Sequence, residues 1–415
     1  MKHSGARHKA DSPFAAFRLG VTLIIMMLSA SGMYVVPVVL PAVQAEFGVA
    51  RADASLPYSM LMIGFGLGGV VMGRLADRFG VMIPLVVGGI SLGLGFVVAG
   101  TATGMATFNV SHGILIGLLG CSAGFAPLMA DTALWWVRRR GMAVAICASG
   151  NYLGGAIWPP IVQHFIETVG WRQTYVGMGI FCGTAVALLA LALRERPPVH
   201  AAHSTAEHAA LAGERPFGLS PQLALGLLMV AGIACCVAMS MPQVHIVAYC
   251  GDLGYGPARG AEMLAIMLGF GILSRLVSGY ICDHIGGLRT LLLGSILQGV
   301  ALLLFLPFTG LVSLYVISAL FGLFQGGIVP AYAIIVREHF GPHHAASRTG
   351  LVIMCTLLGM ALGGWMSGKA YDLTGSYQAA FVNGIAWNFL NLAIVTALLW
   401  RVTRRRSLAA TPAVG

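Results

Sequence analysis

The sequence predicts an all-α membrane protein, with twelve transmembrane helices arranged as two pseudo-symmetric six-helix bundles. Three observations carry that expectation: an extremely apolar composition, twelve apolar runs of spanning length, and a repeat relating the first six runs to the last six. Of 415 residues, 58% are hydrophobic and only 9% are charged, and the mean hydropathy is +0.85. Ordinary soluble domains carry about 25% charged residues. A globule in water could not cover so much apolar surface, whereas a bilayer takes it without cost.

The runs lie near 18–42, 55–77, 82–103, 109–134, 141–165, 173–193, 222–248, 260–281, 289–307, 311–336, 347–369 and 379–400. Each meets the roughly 20 residues that cross a hydrocarbon core. The first is too long for the core of a secretory signal, so Val43-Gln44-Ala45 is not read as a cleavage site. The hydrophilic stretch with Pro197-Pro198 separates six runs from six. The expected organisation is a tail over 1–17, a bundle over 18–193, a linker over 194–221, a second bundle over 222–400 and a tail over 401–415.

The net charge of +10 comes from 24 Lys and Arg against 14 Asp and Glu. These basic residues sit in short clusters between apolar runs, which excludes a nucleic-acid surface and makes them topology signals. With both termini cytoplasmic, the outer loops hold only Arg51, Arg172, Arg259 and Lys369. The rest, apart from Arg275, fall on the cytoplasmic side, so a multi-pass protein of the inner membrane is expected.

Three sets of residues recur in order. Gly73, Asp77 and Gly80 return as Gly279, Asp283 and Gly286; Gly141, Gly150, Gly154 and Gly155 as Gly350, Gly359, Gly363 and Gly364; Gly170, Gln173, Gly179 and Ile180 as Gly375, Gln378, Gly384 and Ile385. Transporter folds commonly carry such duplicated bundles. The glycine rows on the fifth and eleventh runs have the small-xxx-small spacing that lets helices approach in lipid, and Pro159 and Pro160 allow the fifth to bend.

Arg275 is the one basic side chain well inside an apolar run. An unpaired guanidinium in a membrane costs several kcal/mol, so such residues face a cavity and mark a substrate or ion path. A guanidinium binds a carboxylate through two parallel hydrogen bonds. Snorkelling to the headgroups, or pairing with Asp283, is the structural alternative. Tyr34, His245, Asn151 and Asn388 are further polar residues that could contact a substrate. Asp131 is expected to pair with Arg138 or its neighbours. No cysteine or histidine spacing forms a closed metal set, and no phosphate-binding Gly-Lys-Ser/Thr loop is present, so neither a metal nor a cofactor is expected. The driving force is then an ion gradient rather than ATP, and catalysis is not expected.

The 73–80 sequence GRLADRFG resembles the signature loop of the major facilitator superfamily, with its degenerate copy where the second half would place it. The resemblance covers residues 18–400. It implies that Gly73, Asp77, Arg78 and Gly80, with Gly279, Asp283 and Gly286, form a conformational gate at the cytoplasmic side. Arg275 followed by Gly279, together with PQVHIVAYCGDLG (242–254) and VREHFG (336–341), resembles the monocarboxylate-transporter family and its bacterial organic-anion relatives. That resemblance implies that Arg275 is the ligand of a substrate carboxylate. Tyr34 and Pro37 fit the family's first-helix pattern, but its Lys position is Val38, and its acid one turn before the Arg is Gly271. The expectation is a monomeric secondary transporter of a small organic anion, a monocarboxylate, coupled to protons. The alternative is a proton-coupled efflux antiporter of drugs or metabolites.

Overall fold

The computed structural model describes residues 9–197, 216–340 and 345–410, and the described residues contain helices and no strand. The first half holds spans 1 (Pro13–Phe47), 2 (Arg51–Phe79), 3 (Met82–Gly100), 4 (Met105–Trp135), 5 (Arg140–Val169) and 6 (Trp171–Leu193). The second holds spans 7 (Pro221–Asp252), 8 (Pro257–Ile285), 9 (Gly287–Leu304), 10 (Leu311–His339), 11 (Ala345–Thr374) and 12 (Tyr377–Ala410). Eleven are long and apolar enough to cross a membrane. The other, span 5, has 30 residues, and Gly150, Asn151, Gly154 and Gly155 dilute its apolar run. At 1.5 Å per residue it still reaches about 45 Å, more than the roughly 30 Å of a hydrocarbon core.

Twelve crossings bring both chain ends to one end of the bundle, the termini end. Helices run further than the apolar runs suggest. Span 2 continues to Phe79, so Gly73, Asp77 and Arg78 are helical and only Gly80 lies in the turn. Span 12 continues to Ala410, well into the expected 401–415 tail. Arg401 and Arg404 follow its apolar stretch there. Most of the expected 194–221 linker, including His200, His203 and His208, lies outside the described residues.

The duplication is visible in the packing. In span 5, a Cβ on Gly150 or Gly154 would lie 2.7 Å from the carbonyl oxygens of Leu23 and Met27 on span 1. In span 11, a Cβ on Gly359 or Gly363 would lie 2.5 and 2.4 Å from those of Ile233 and Val237 on span 7. The same small-residue face thus holds the same pair of helices in each half. The third glycine of each row turns toward the other half: Gly155 meets Tyr34 and Leu268, and Gly364 meets Val244 and Tyr58.

Span 1 is interrupted at Ala30 and span 6 ends in a 3-10 turn over Leu191–Leu193, and spans 4 and 10 are broken near their middles. Span 4 winds as a π-helix over Ser111–Cys121 and breaks at Phe125, whose φ is −121° and ψ −81°. Span 10 breaks at Gly326-Gly327, between Leu311–Gln325 and Ile328–His339. The wide π turns bring backbone to span 2, where a Cβ on Gly64 would sit 2.0 Å from the Gly113 carbonyl oxygen. Gly69, five residues on, has open space around it. Gly64→Ala is therefore expected to destabilise the protein by about 1–3 kcal/mol through overpacking, and Gly69→Ala to be near neutral, as read by thermal unfolding of the purified proteins.

Candidate functional site

Arg275 sits on span 8, about one turn beyond its midpoint toward the termini end. Its Nη1 donates to the Ala148 carbonyl on span 5 at 3.1 Å, across the boundary between the halves. The guanidinium stacks 4.3 Å from the centre of the Tyr152 ring. Its Nε is buried without a hydrogen-bond partner. Among the described residues no carboxylate lies within ion-pair distance of it, and the pairing with Asp283 considered above is not made. The result is a cation near mid-depth with a carbonyl and an aromatic face for company but no counter-charge.

Tyr34 and Asn151 belong to the same region. The Tyr34 hydroxyl hydrogen-bonds the Asn151 side-chain oxygen at 2.9 Å, and Asn151 directly precedes Tyr152. The repeat shows that the fold does not demand these polar groups. The register pairing Gly73 with Gly279 sets Arg275 against Gly69. The matched glycine contacts set Tyr34 against Val244, and the span 5 and 11 register sets Asn151 against Met360. Three polar residues in one neighbourhood thus have apolar or absent side chains at their counterparts.

Beside Tyr34 and Asn151, spans 1, 2, 4 and 5 meet around a narrow gap that leaves no room for a water molecule. Met26, Met33, Phe65 and Phe125 supply apolar walls, and Ser29, Cys121 and Asn151 the polar ones.

His245 and Asn388 are not part of this neighbourhood. His245 lies two turns from the far end of span 7 and is fully buried, with Nε2 2.8 Å from the Gly364 carbonyl and Nδ1 3.0 Å from the Tyr377 hydroxyl. A carbonyl only accepts, so Nε2 carries the proton, and Nδ1 accepts from Tyr377 when the ring is neutral. Asn388 donates to the Ser295 carbonyl at 3.0 Å, joining span 12 to span 9. It is a tie within the second half.

His245 leads into a network that sequence reasoning missed. The Arg51 guanidinium contacts both oxygens of Asp252 at 3.2 Å and donates to the Tyr377 hydroxyl at 2.8 Å. It also stacks 4.4 Å from the Tyr371 ring. Asp372 accepts from the backbone N–H groups of Arg51 and Ala52 at 2.8 and 2.9 Å. A carboxylate from span 11 therefore caps the N-terminus of span 2, in the other half. A cation is electrostatically misplaced at a helix N-terminus; Arg51 is held there by carboxylates of the second half. This network ties the halves together at the end opposite the termini.

The expected gate at the termini end is not engaged. Asp77 and Asp283 are exposed and make no hydrogen bond or ion pair among the described residues. Gly73 and Gly279 have no atom within 4 Å of a Cβ position. Arg78 stacks on the neighbouring Phe79 ring at 5.2 Å. Gly80 and Gly286 do have a backbone role: their φ values of +86° and +84° turn the chain where a side chain would be strained. In the second copy, Glu338 of span 10 accepts from the Gly287 N–H with both oxygens, at 3.1 and 3.0 Å.

Arg51→Ala is expected to shift the equilibrium toward a form open at the Arg51 end. Losing a paired, hydrogen-bonded charge costs about 2–5 kcal/mol, so the closed-to-open ratio should fall about 30-fold or more. Spin labels on Asp53→Cys and Thr374→Cys, both exposed, would report a longer distance.

Asp131 is paired, but with Arg18 rather than Arg138. The contact is 2.7 Å, and the side chains are 2% and 8% exposed. The Arg18 guanidinium also stacks 4.5 Å from the Trp135 ring and reaches the Glu195 carbonyl at 3.2 Å.

A family model described as the Major Facilitator Superfamily matches residues 22–311 and 263–413. Monocarboxylate transporter 13 of Bos taurus is 29% identical over 323 residues, spanning 76% of this chain and 73% of that protein. The uncharacterized MFS-type transporter YhjX of Escherichia coli K12 is 24% identical over 330 residues, spanning 75% and 78%. Among solved structures, the peptide transporter POT in complex with sulfate aligns with a TM-score of 0.71 at 16% identity, over 96% of each chain. A bacterial homologue of the human lysosomal transporter Spinster, inward-facing and unoccupied, gives 0.68 at 16% identity, over 95% of this chain and 96% of that one.

Proposed function

Since the chain belongs to the Major Facilitator Superfamily, we propose that it is a secondary active transporter of a small organic anion, a monocarboxylate, that works by alternating access and is coupled to protons. The observation that carries this reading is Arg275: a guanidinium near mid-depth with no counter-ion among the described residues and a buried, unpartnered Nε. A carboxylate there would compensate the charge and accept from the fork in parallel. One cation favours a monoanion, because a second carboxylate would need a second positive partner. The relatives named monocarboxylate transporters support the same substrate class.

The halves are tied through Arg51 at one end, while at the other the signature carboxylates Asp77 and Asp283 make no hydrogen bond or ion pair among the described residues. This is the asymmetry alternating access requires, a midplane site reached from one side at a time. The Arg275 bond to Ala148 crosses the same boundary, so a substrate that takes over Nη1 would loosen the link between spans 5 and 8. The positive-inside distribution supports a termini end on the cytoplasmic side of an inner membrane.

The test is a ligand-stabilisation screen of the purified protein against short-chain carboxylates. A ligand of the native state raises the melting temperature by mass action. Monocarboxylates should raise it and their amides should not, and the shift should vanish in Arg275→Ala. A shift that persists in that variant would sink the assignment.

A further inference from the structure

The network at the Arg51 end joins a buried histidine of one half to a cation of the other through a single hydroxyl. His245 Nδ1 stands 3.0 Å from the Tyr377 oxygen, and Arg51 Nη1 donates to that same oxygen at 2.8 Å. Exposure rises along the chain of contacts: His245 is 0% and Tyr377 3% exposed, and the side chains of Arg51 and Asp252 are 9% and 32% exposed. His245 is thus the sealed end of a path whose outer end meets water. The fold demands neither partner, because the repeat sets Arg51 against Pro257, the first residue of span 8, and His245 against Val35.

The directions of the hydrogen bonds make a proton on His245 and the docked Arg51 alternatives. The Gly364 carbonyl fixes Nε2 as a donor, so a second proton enters at Nδ1. With the ring neutral, the Tyr377 hydroxyl donates to Nδ1 while its oxygen accepts from Arg51. With Nδ1 protonated, the ring and the guanidinium would both donate to one oxygen, two positive charges would face each other across it, and the Tyr377 proton would lose its acceptor. The other charges around the ring are Asp252 on span 7 and Asp372 on span 11. Tyr249 on span 7, Tyr371 on span 11 and Tyr58 on span 2 are the uncharged titratable neighbours of Tyr377 and Gly364. Spans 1 and 8 also pack on span 7, and there Glu46 is held by Arg172 and Glu262 by Arg259. His245, Asp252, Asp372 and Tyr377 all belong to the second half, and Arg51 to the first. Parting the halves at this end therefore takes the guanidinium away from two carboxylates and opens the way from water to His245.

We propose that His245 is a proton-binding site of the gate at the Arg51 end, filled when Arg51 withdraws and emptied when Arg51 docks. The proton comes from water at the opened end and adds to the Nδ1 lone pair; Tyr377 keeps its own proton and turns its oxygen to accept. The imidazolium then stands beside Asp252 and Asp372 in place of the guanidinium. The inference rests on the reading of the chain as an alternating-access transporter coupled to protons, and it gives that coupling a residue. Its sign follows by linkage. The open form binds one more proton than the closed form, so a fall in pH favours opening at the Arg51 end, by up to about tenfold in the open-to-closed ratio per pH unit.

The experiment measures the distance between spin labels on Asp53→Cys and Thr374→Cys in nanodiscs without substrate, from pH 8 to pH 5, around the ordinary imidazole titration near pH 6.5. With His245 in place, the long-distance population should grow as pH falls. His245→Gln keeps a donor for Gly364 and an acceptor for Tyr377 but takes up no proton, so its distance should hold at the short value throughout. Tyr377→Phe removes the shared oxygen and should weaken the response, with size-exclusion chromatography confirming that both variants are folded. A distance that ignores pH with His245 present, or a response undiminished in His245→Gln or in Tyr377→Phe, would overturn the site; the undiminished His245→Gln response would move the proton to Asp252 or Asp372. Arg51→Ala separates this inference from the reading beneath it. If that variant lengthens the distance while the parent ignores pH, the gate stands and the proton site falls; if it leaves the distance unchanged at every pH, the gate falls and the site with it.

Discussion

Arg275→Ala should abolish carboxylate transport while leaving the protein as stable as the wild type, or more so. The two halves of that expectation have different origins. A charged, hydrogen-bonded contact removed from one side costs about 2–5 kcal/mol, so carboxylate affinity should fall from about 30-fold to several-thousand-fold. In the empty protein, however, the guanidinium has no counter-ion among the described residues, one carbonyl partner and a buried bare Nε. Removing it relieves a desolvation penalty and gives up one hydrogen bond and one ring contact. A purely structural arginine would lose stability on truncation. Arg275→Lys separates charge from geometry, since it keeps the cation but not the planar fork; its affinity should lie between wild type and alanine. Uptake into proteoliposomes and thermal unfolding of the same preparations read both quantities. A destabilised Arg275→Ala that still transports would reverse the assignment.

Sequence reasoning reached the architecture because it depends on run length and repetition, which are local or periodic. It reached Arg275 because one cation in an apolar run is visible without a fold. It reached Tyr34 and Asn151 as separate residues, but their hydrogen bond joins positions 117 apart in sequence. Arg51 was hidden for the opposite reason. At the start of a span it reads as an ordinary outer-loop charge, and its partners Asp252, Asp372 and Tyr377 lie on three helices of the other half. The clue was its sign, a cation at the positive end of a helix. The π turns of span 4 left no signal, because SHGILIGLLGC is as apolar and glycine-rich as its neighbours. Asp77 and Asp283 show another limit: a motif names residues without naming their partners, and in the conformation described they make no hydrogen bond or ion pair among the described residues.

The second large effect lies away from Arg275. Asp131→Ala is expected to cost about 3–5 kcal/mol, because it leaves the Arg18 guanidinium buried and uncompensated. The pair is 2.7 Å apart, and Arg18 is only 2% exposed, between spans 1 and 4. The Trp135 ring and the Glu195 carbonyl remain as partners, and neither replaces a full negative charge. Arg18→Ala should cost a similar amount by stranding Asp131. Replacing both, as Arg18→Met with Asp131→Leu, removes the attraction and the two desolvation penalties together, so most of the loss should be recovered. Thermal unfolding of the four proteins closes the cycle, and a double variant as unstable as the sum of the singles would show that the two charges do not act as a pair. Carboxylate affinity in the double variant provides the second reading. Arg18 lies in the first two turns of span 1 and Asp131 in the last two of span 4, several turns from Tyr34 and Asn151. A purely structural pair leaves that affinity unchanged, whereas a parallel fall in affinity would mean that the pair also sets the conformation in which Arg275 meets its ligand.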